Sequence, residues 1–77
     1  MAEITPLFQI LVPLGGQAIE LQQIDHAAGG MSLVRVRIRE GRRFTVFDLD
    51  PESARRWGEA MVEWADRQAP AGGGRTP

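Results

Sequence analysis

Within the stretch from Ser32 to Arg39, β-branched residues alternate with arginines at a period of two from Val34 onward. Successive side chains of a strand point to opposite faces, so this pattern predicts a strand with one apolar and one basic face. The apolar set is Val34, Val36 and Ile38, and the basic set is Arg35, Arg37 and Arg39. The chain is thereby constrained to build a sheet whose apolar face needs a cover.

Gly41 marks a hairpin turn after this strand, and the loop length decides which residues of the next strand share the apolar face. A two-residue loop would pair Ile38 with Arg43 and place Phe44 and Val46 on the basic face. A three-residue loop over residues 39–41, with Gly41 in the left-handed conformation, pairs Val36 with Phe44 instead. We predict this second register. It leaves on the basic face Leu33, Arg35, Arg37, Arg43, Thr45 and Phe47.

Two further strands are predicted before this hairpin. Residues 7–12 form a short apolar run between two prolines, which favour strand boundaries because they lack a backbone donor. Gly15 and Gly16 then permit a tight reversal, and residues 17–25 continue with alternating apolar and polar side chains.

A helix is predicted from Asp50 onward, since Asp50 is a good N-cap residue and Pro51 suits the first turn. It should end near Gln68 or Ala69, before Pro70. Gly58 falls on its apolar side, which indicates a close approach of the helix to the sheet. Trp57 and Trp64 lie two turns apart on the same side, and the sequence leaves open whether they are core or interface residues.

The expected fold class is therefore α+β: a four-stranded antiparallel sheet (β-β-β-β-α) with one C-terminal helix packed on one face. Residues 1–69 are expected to form a single domain, and residues 70–77 a disordered tail with nothing to bury. A chain of 77 residues is too short for a second core. Such a small core is marginal, and apolar residues point to both faces of the sheet, so we expect a homodimer.

Composition excludes several functional classes. The chain has no cysteine and one histidine, which rules out disulfides, thiolate metal sites and histidine clusters. Asp25 and His26 are adjacent, but no serine or cysteine nucleophile lies nearby, so we expect no enzyme and no cofactor. Asp48 and Asp50 are explained better by helix capping than by a metal site. With 9 basic and 10 acidic residues, the net charge of -1 gives no global attraction to nucleic acid or to membranes.

Local charge supplies the functional hypotheses. The predicted hairpin is basic and the predicted helix is acidic, and guanidinium groups bind carboxylates well. We therefore expect a small non-enzymatic interaction module whose second sheet face and arginine-rich hairpin contact an acidic partner. The alternative is single-stranded nucleic-acid binding, with phosphates held by the arginines and a base stacked on Phe47. A third reading is that the arginines only keep the strand soluble. The binding residues proposed are Leu33, Arg35, Arg37, Arg43 and Phe47.

The predicted order of four strands and then one helix, over residues 7–69, resembles the coactivator-type fold. That resemblance is topological, and it implies a dimer that binds single-stranded DNA through its sheet faces, with the helices at the dimer contact. None of that family's nucleic-acid-contacting residues can be matched here. The first residues lack the basic and long apolar segments of a secretory signal, so we expect a cytoplasmic protein. All nine cations are arginine, a bias typical of GC-rich bacterial sequences.

Overall fold

The computed structural model describes residues 2–26 and 29–68. Four strands form one antiparallel sheet in the order β1-β2-β3-β4, and a single helix follows. This confirms the α+β fold class and the meander path. The elements are β1 (Ala2–Leu11), β2 (Ala18–His26), β3 (Leu33–Glu40), β4 (Arg43–Leu49) and α1 (Pro51–Gln68). The tail predicted for residues 70–77 lies outside the described residues.

Strand β1 is longer than predicted, because it continues on the N-terminal side of Pro6. Pro6 is tolerated because β1 is an edge strand. The register against β2 shifts between Pro6 and Phe8, so Leu7 is the extra residue of a β-bulge. The predicted reversal before β2 is confirmed: the Gly16 amide donates to the Val12 carbonyl at 2.7 Å, and Gly16 has a φ of 75°.

The predicted register of the β3–β4 hairpin is wrong. Glu40 pairs with Arg43, which leaves a two-residue loop, and Val36 pairs with Phe47 instead of Phe44. Gly41, with a φ of 63°, is the first loop residue, and a positive φ at that position alone is the pattern of a type II′ turn. This turn matches the twist of the flanking strands, and its geometry sets the register.

The two faces of the sheet follow from the register, since directly paired residues share a face. We call the face that carries Val36 and Phe47 the helix face, because the Phe47 ring lies 6.0 Å from that of Trp57 on α1. We call the other the arginine face. It carries, on β3, Leu33, Arg35, Arg37 and Arg39 and, on β4, Phe44, Val46 and Asp48.

Helix α1 begins as predicted. One carboxylate oxygen of Asp50 accepts hydrogen bonds from the Glu52 and Ser53 amides, both at 3.1 Å, and the other accepts one from the Ser53 hydroxyl at 2.6 Å. The cap satisfies amides that have no partner within the helix. These hydrogen bonds lower the pKa of Asp50, that from the Ser53 hydroxyl most strongly.

The helix covers little of the sheet. Among its residues only Ala54 and Gly58 are partly buried, and its contacts with the sheet are made to β3 and β4. The predicted close approach at Gly58 is wrong, since a Cβ atom added there would meet no atom within 4 Å. Of the side chains that the structure describes, only Ile24 and Val36 are fully buried. Much of the apolar surface is consequently open.

Candidate interaction surfaces

The five residues predicted to bind a partner do not form one surface. Leu33, Arg35 and Arg37 lie on the arginine face, whereas Arg43 and Phe47 lie on the helix face. The physical reason is the two-residue turn, which reverses the phase of β4 relative to our prediction. Phe47 packs toward Trp57 and is unavailable as a stacking surface beside the arginines.

Arg35 forms a two-point ion pair with Asp48, its direct neighbour on β4. Its Nε donates to Oδ1 at 2.8 Å and its Nη2 donates to Oδ2 at 3.1 Å. This pairing lowers the pKa of Asp48 and raises the pKa of Arg35. Two parallel hydrogen bonds fix the guanidinium plane, so this arginine is already engaged within the chain.

Arg37 is held by two different contacts. Its Nη1 donates to Oε1 of Glu20 on β2 at 2.9 Å. Its guanidinium carbon lies 5.4 Å from the centre of the Phe44 ring, within the range of a cation–π contact. Phe44 therefore takes, beside the arginines, the place that the sequence had assigned to Phe47.

A groove of about 500 Å³ crosses the arginine face near the ends of the two hairpins. Two rows of paired residues provide most of its lining. The first row is Leu11, Ala18, Arg39 and Phe44, and the second contains Gln9, Glu20 and Arg37. Ala18 is small and lies between longer side chains, so it forms the floor. Arg39 is exposed, and no ion pair involves it in the described part of the chain.

The helix face carries a second open surface, which is apolar. Phe8 and Ile10 of β1 are 54% and 47% exposed, because α1 lies over the other half of the sheet. The helix itself presents Trp57, Met61 and Trp64 at a spacing of one turn each, and they are 44%, 50% and 59% exposed. Trp64 is thus no core residue, and Trp57 is only partly covered by Phe47.

Asp25 and His26 are adjacent in the sequence, but they do not form a catalytic pair in the structure. The Asp25 carboxylate accepts hydrogen bonds from the Ser32 hydroxyl and from the side-chain amide of Gln23, and these lower its pKa. His26 is the next residue of β2, so its side chain points to the opposite face. Over residues 2–26 and 29–68, no group of three or more potential metal ligands comes together. No helix in the same part of the chain is long and apolar enough to cross a membrane.

The fold and these surfaces define a small α+β protein with an open sheet, an arginine-lined groove and an uncovered apolar side. The chain belongs to a family of unknown function, DUF6967, whose sequence pattern matches residues 1–67. No curated protein and no solved structure matches it, so the resemblance to the coactivator-type fold gains no support from comparison.

The binding residues predicted from the sequence did not include Glu20, Arg39 or Phe44, which line the groove. One signal was present: Glu20 and Asp48 are acids that two long strands can place opposite Arg37 and Arg35. Cross-strand pairs of opposite charge stabilise one register over another. The register that pairs Arg35 with Asp48 is the one that the structure has.

Proposed function

We propose that the protein is a non-enzymatic interaction module that works as a homodimer joined through the helix face. The observation that supports this proposal is the exposure of Trp57, Met61 and Trp64 on α1 together with Phe8 and Ile10 on β1. Exposed apolar side chains scattered singly are ordinary, but a helical stripe beside an uncovered half-sheet is typical of an interface.

A second copy suits this surface because each copy has both complementary parts. The helix of one copy can lie over the β1–β2 half of the other, and a two-fold axis makes the exchange reciprocal. Trp64 then enters a contact that its own sheet does not offer. Two fully buried side chains among the residues that the structure describes are few for a chain of 8.5 kDa, and the dimer adds apolar burial.

Size-exclusion chromatography with light scattering tests the proposal. At tens of micromolar, roughly the range in which a weak dimer is populated, we expect twice the chain mass of 8.5 kDa. Dilution should return the monomer mass. A monomer at every concentration would contradict the proposal.

A matched pair of variants locates the interface. Trp64→Gln removes the most exposed ring of the stripe, and we expect the dimer dissociation constant to rise at least about tenfold, as for a tryptophan at an interface centre. Glu63→Gln introduces the same residue one position earlier, about 100° around α1 from Trp64 and outside the apolar stripe, and should leave dissociation unchanged. Circular dichroism checks that both variants keep the fold. Equal effects of the two substitutions would place the contact elsewhere.

The acidic partner proposed from the sequence would meet the arginine face. Because Arg35 and Arg37 already have carboxylate partners, the attraction rests on Arg39 more than on them. The nucleic-acid alternative receives no specific support, since Arg43 and Phe47 are separated from Arg35 and Arg37. It stays a prediction, and anisotropy of a labelled single-stranded oligonucleotide at low salt checks it.

A further inference from the structure

We infer that the groove on the arginine face is a binding site for a small organic carboxylate with an apolar body. The inference does not depend on the proposed dimer, because the groove and the helix lie on opposite faces of the sheet. Its volume of about 500 Å³ is within the range of small-molecule sites.

The charge of the lining selects an anion. Two guanidinium groups, those of Arg37 and Arg39, face a single carboxylate, that of Glu20. Glu20 is bound to Arg37, which leaves the charge of Arg39 without a partner among the described groove residues. A guanidinium group recognises a carboxylate by two parallel hydrogen bonds, so Arg39 is the group that would hold the anion.

The shape of the lining selects an apolar body on that anion. Arg39 lies in one row with Ala18 on one side and Phe44 on the other, and Leu11 closes the row. The Phe44 ring is 57% exposed and Leu11 is 66% exposed, so both offer contact area. Arg37 fixes the Phe44 ring from the neighbouring row. A carboxylate at Arg39 thus lets an attached ring or branched chain lie over Ala18 against Leu11, or on the other side of Arg39 against Phe44.

Three probes separate charge from shape in NMR titrations of the ¹⁵N-labelled full chain. The first is 3-phenylpropionate, the second is 3-phenylpropanamide, which keeps the body without the charge, and the third is acetate, which keeps the charge without the body. We expect 3-phenylpropionate to bind with a dissociation constant of about 1 mM. Its shifts should fall on the amides of Ala18, Arg39 and Phe44. The other two probes should bind at least about tenfold more weakly.

Variants show whether the groove itself is the site. Arg39→Gln should weaken binding of 3-phenylpropionate about tenfold, and Ala18→Leu should abolish it by filling the floor while leaving both arginines in place. The control Arg56→Gln removes the same charge from α1 and should have no effect. Arg39 and Arg56 are exposed, so neither substitution should disturb folding.

Four results would overturn the inference. The first is the absence of amide shifts at about 10 mM 3-phenylpropionate, and the second is equal affinity for 3-phenylpropanamide and 3-phenylpropionate. The third is an equal loss of affinity in the Arg39 and Arg56 variants, and the fourth is that the groove amides shift with protein dilution and not with the probe. The last result would mean that a second copy occupies the groove. A failure of the dimer experiments would leave all four readouts unaffected.

Discussion

Replacing Val36 and Val46 by alanine compares one side chain in two environments. Val36 is 1% exposed and Val46 is 50% exposed, and the two lie on neighbouring strands. Each substitution removes two methyl groups, whose burial contributes about 0.8 kcal/mol apiece when complete. Val36→Ala should therefore cost about 1.6 kcal/mol of transfer free energy plus a cavity contribution, about 2–3 kcal/mol in all.

Val46→Ala should cost less, because half of the side chain already meets water and its removal leaves no enclosed cavity. The expected loss is about 0.8 kcal/mol. In a domain of this size, 1 kcal/mol corresponds to a shift of about 4–8 °C in Tm, so the two variants should differ by several degrees.

Urea unfolding followed by tryptophan fluorescence measures both values. The protein concentration must be the same in every experiment, because dimer formation makes the midpoint depend on it. Equal losses for the two variants would refute the reasoning, since Val46 would then be covered and the arginine face would not be an open surface. A loss below about 0.5 kcal/mol for Val36→Ala would refute the placement of the core.

Two further predictions concern the helix and the dependence of stability on pH. Gly58→Ala should raise the free energy of unfolding by about 0.5–1 kcal/mol, because alanine favours a helix over glycine and the added Cβ meets no atom within 4 Å. Thermal unfolding measures the change, and a lower Tm would mean that another group packs against Gly58. The folded-state pKa values of Asp48 and Asp50 are lowered, so the stability that these carboxylates provide is complete above their ordinary pKa and is lost as the pH falls through the lowered values. As the pH is lowered below about 4, the urea concentration at the unfolding midpoint should consequently decrease. This decrease should be less steep in Asp48→Asn than in the wild type.

The fold could be predicted because several local signals agreed. Alternation in β3, glycines at the reversals and the Asp50–Pro51 cap each act over a few residues, and each indicated the element that the structure has. The start of β1 was missed because Pro6 was taken as a boundary. A bulge at an edge strand accommodates it instead.

The candidate site could not be predicted to the same degree. β4 is apolar in both phases, since Phe44 and Val46 alternate with Phe47 and Leu49, so its pattern does not choose a register. The choice came from the turn at Gly41 and from cross-strand ion pairs. The position of α1 over β3 and β4 is a tertiary property that no local pattern specifies.

Asp50 is the only residue between β4 and α1. The Asp50 carboxylate is hydrogen-bonded to the first turn of α1, so no flexible linker separates the two elements. The direction of the helix is therefore set by the end of the strand. An 18-residue helix is about 27 Å long, so a tilt of about 10° at the junction displaces its far end by about 5 Å. The position of Trp64, at the far end of the apolar stripe, is therefore set by the direction in which β4 ends.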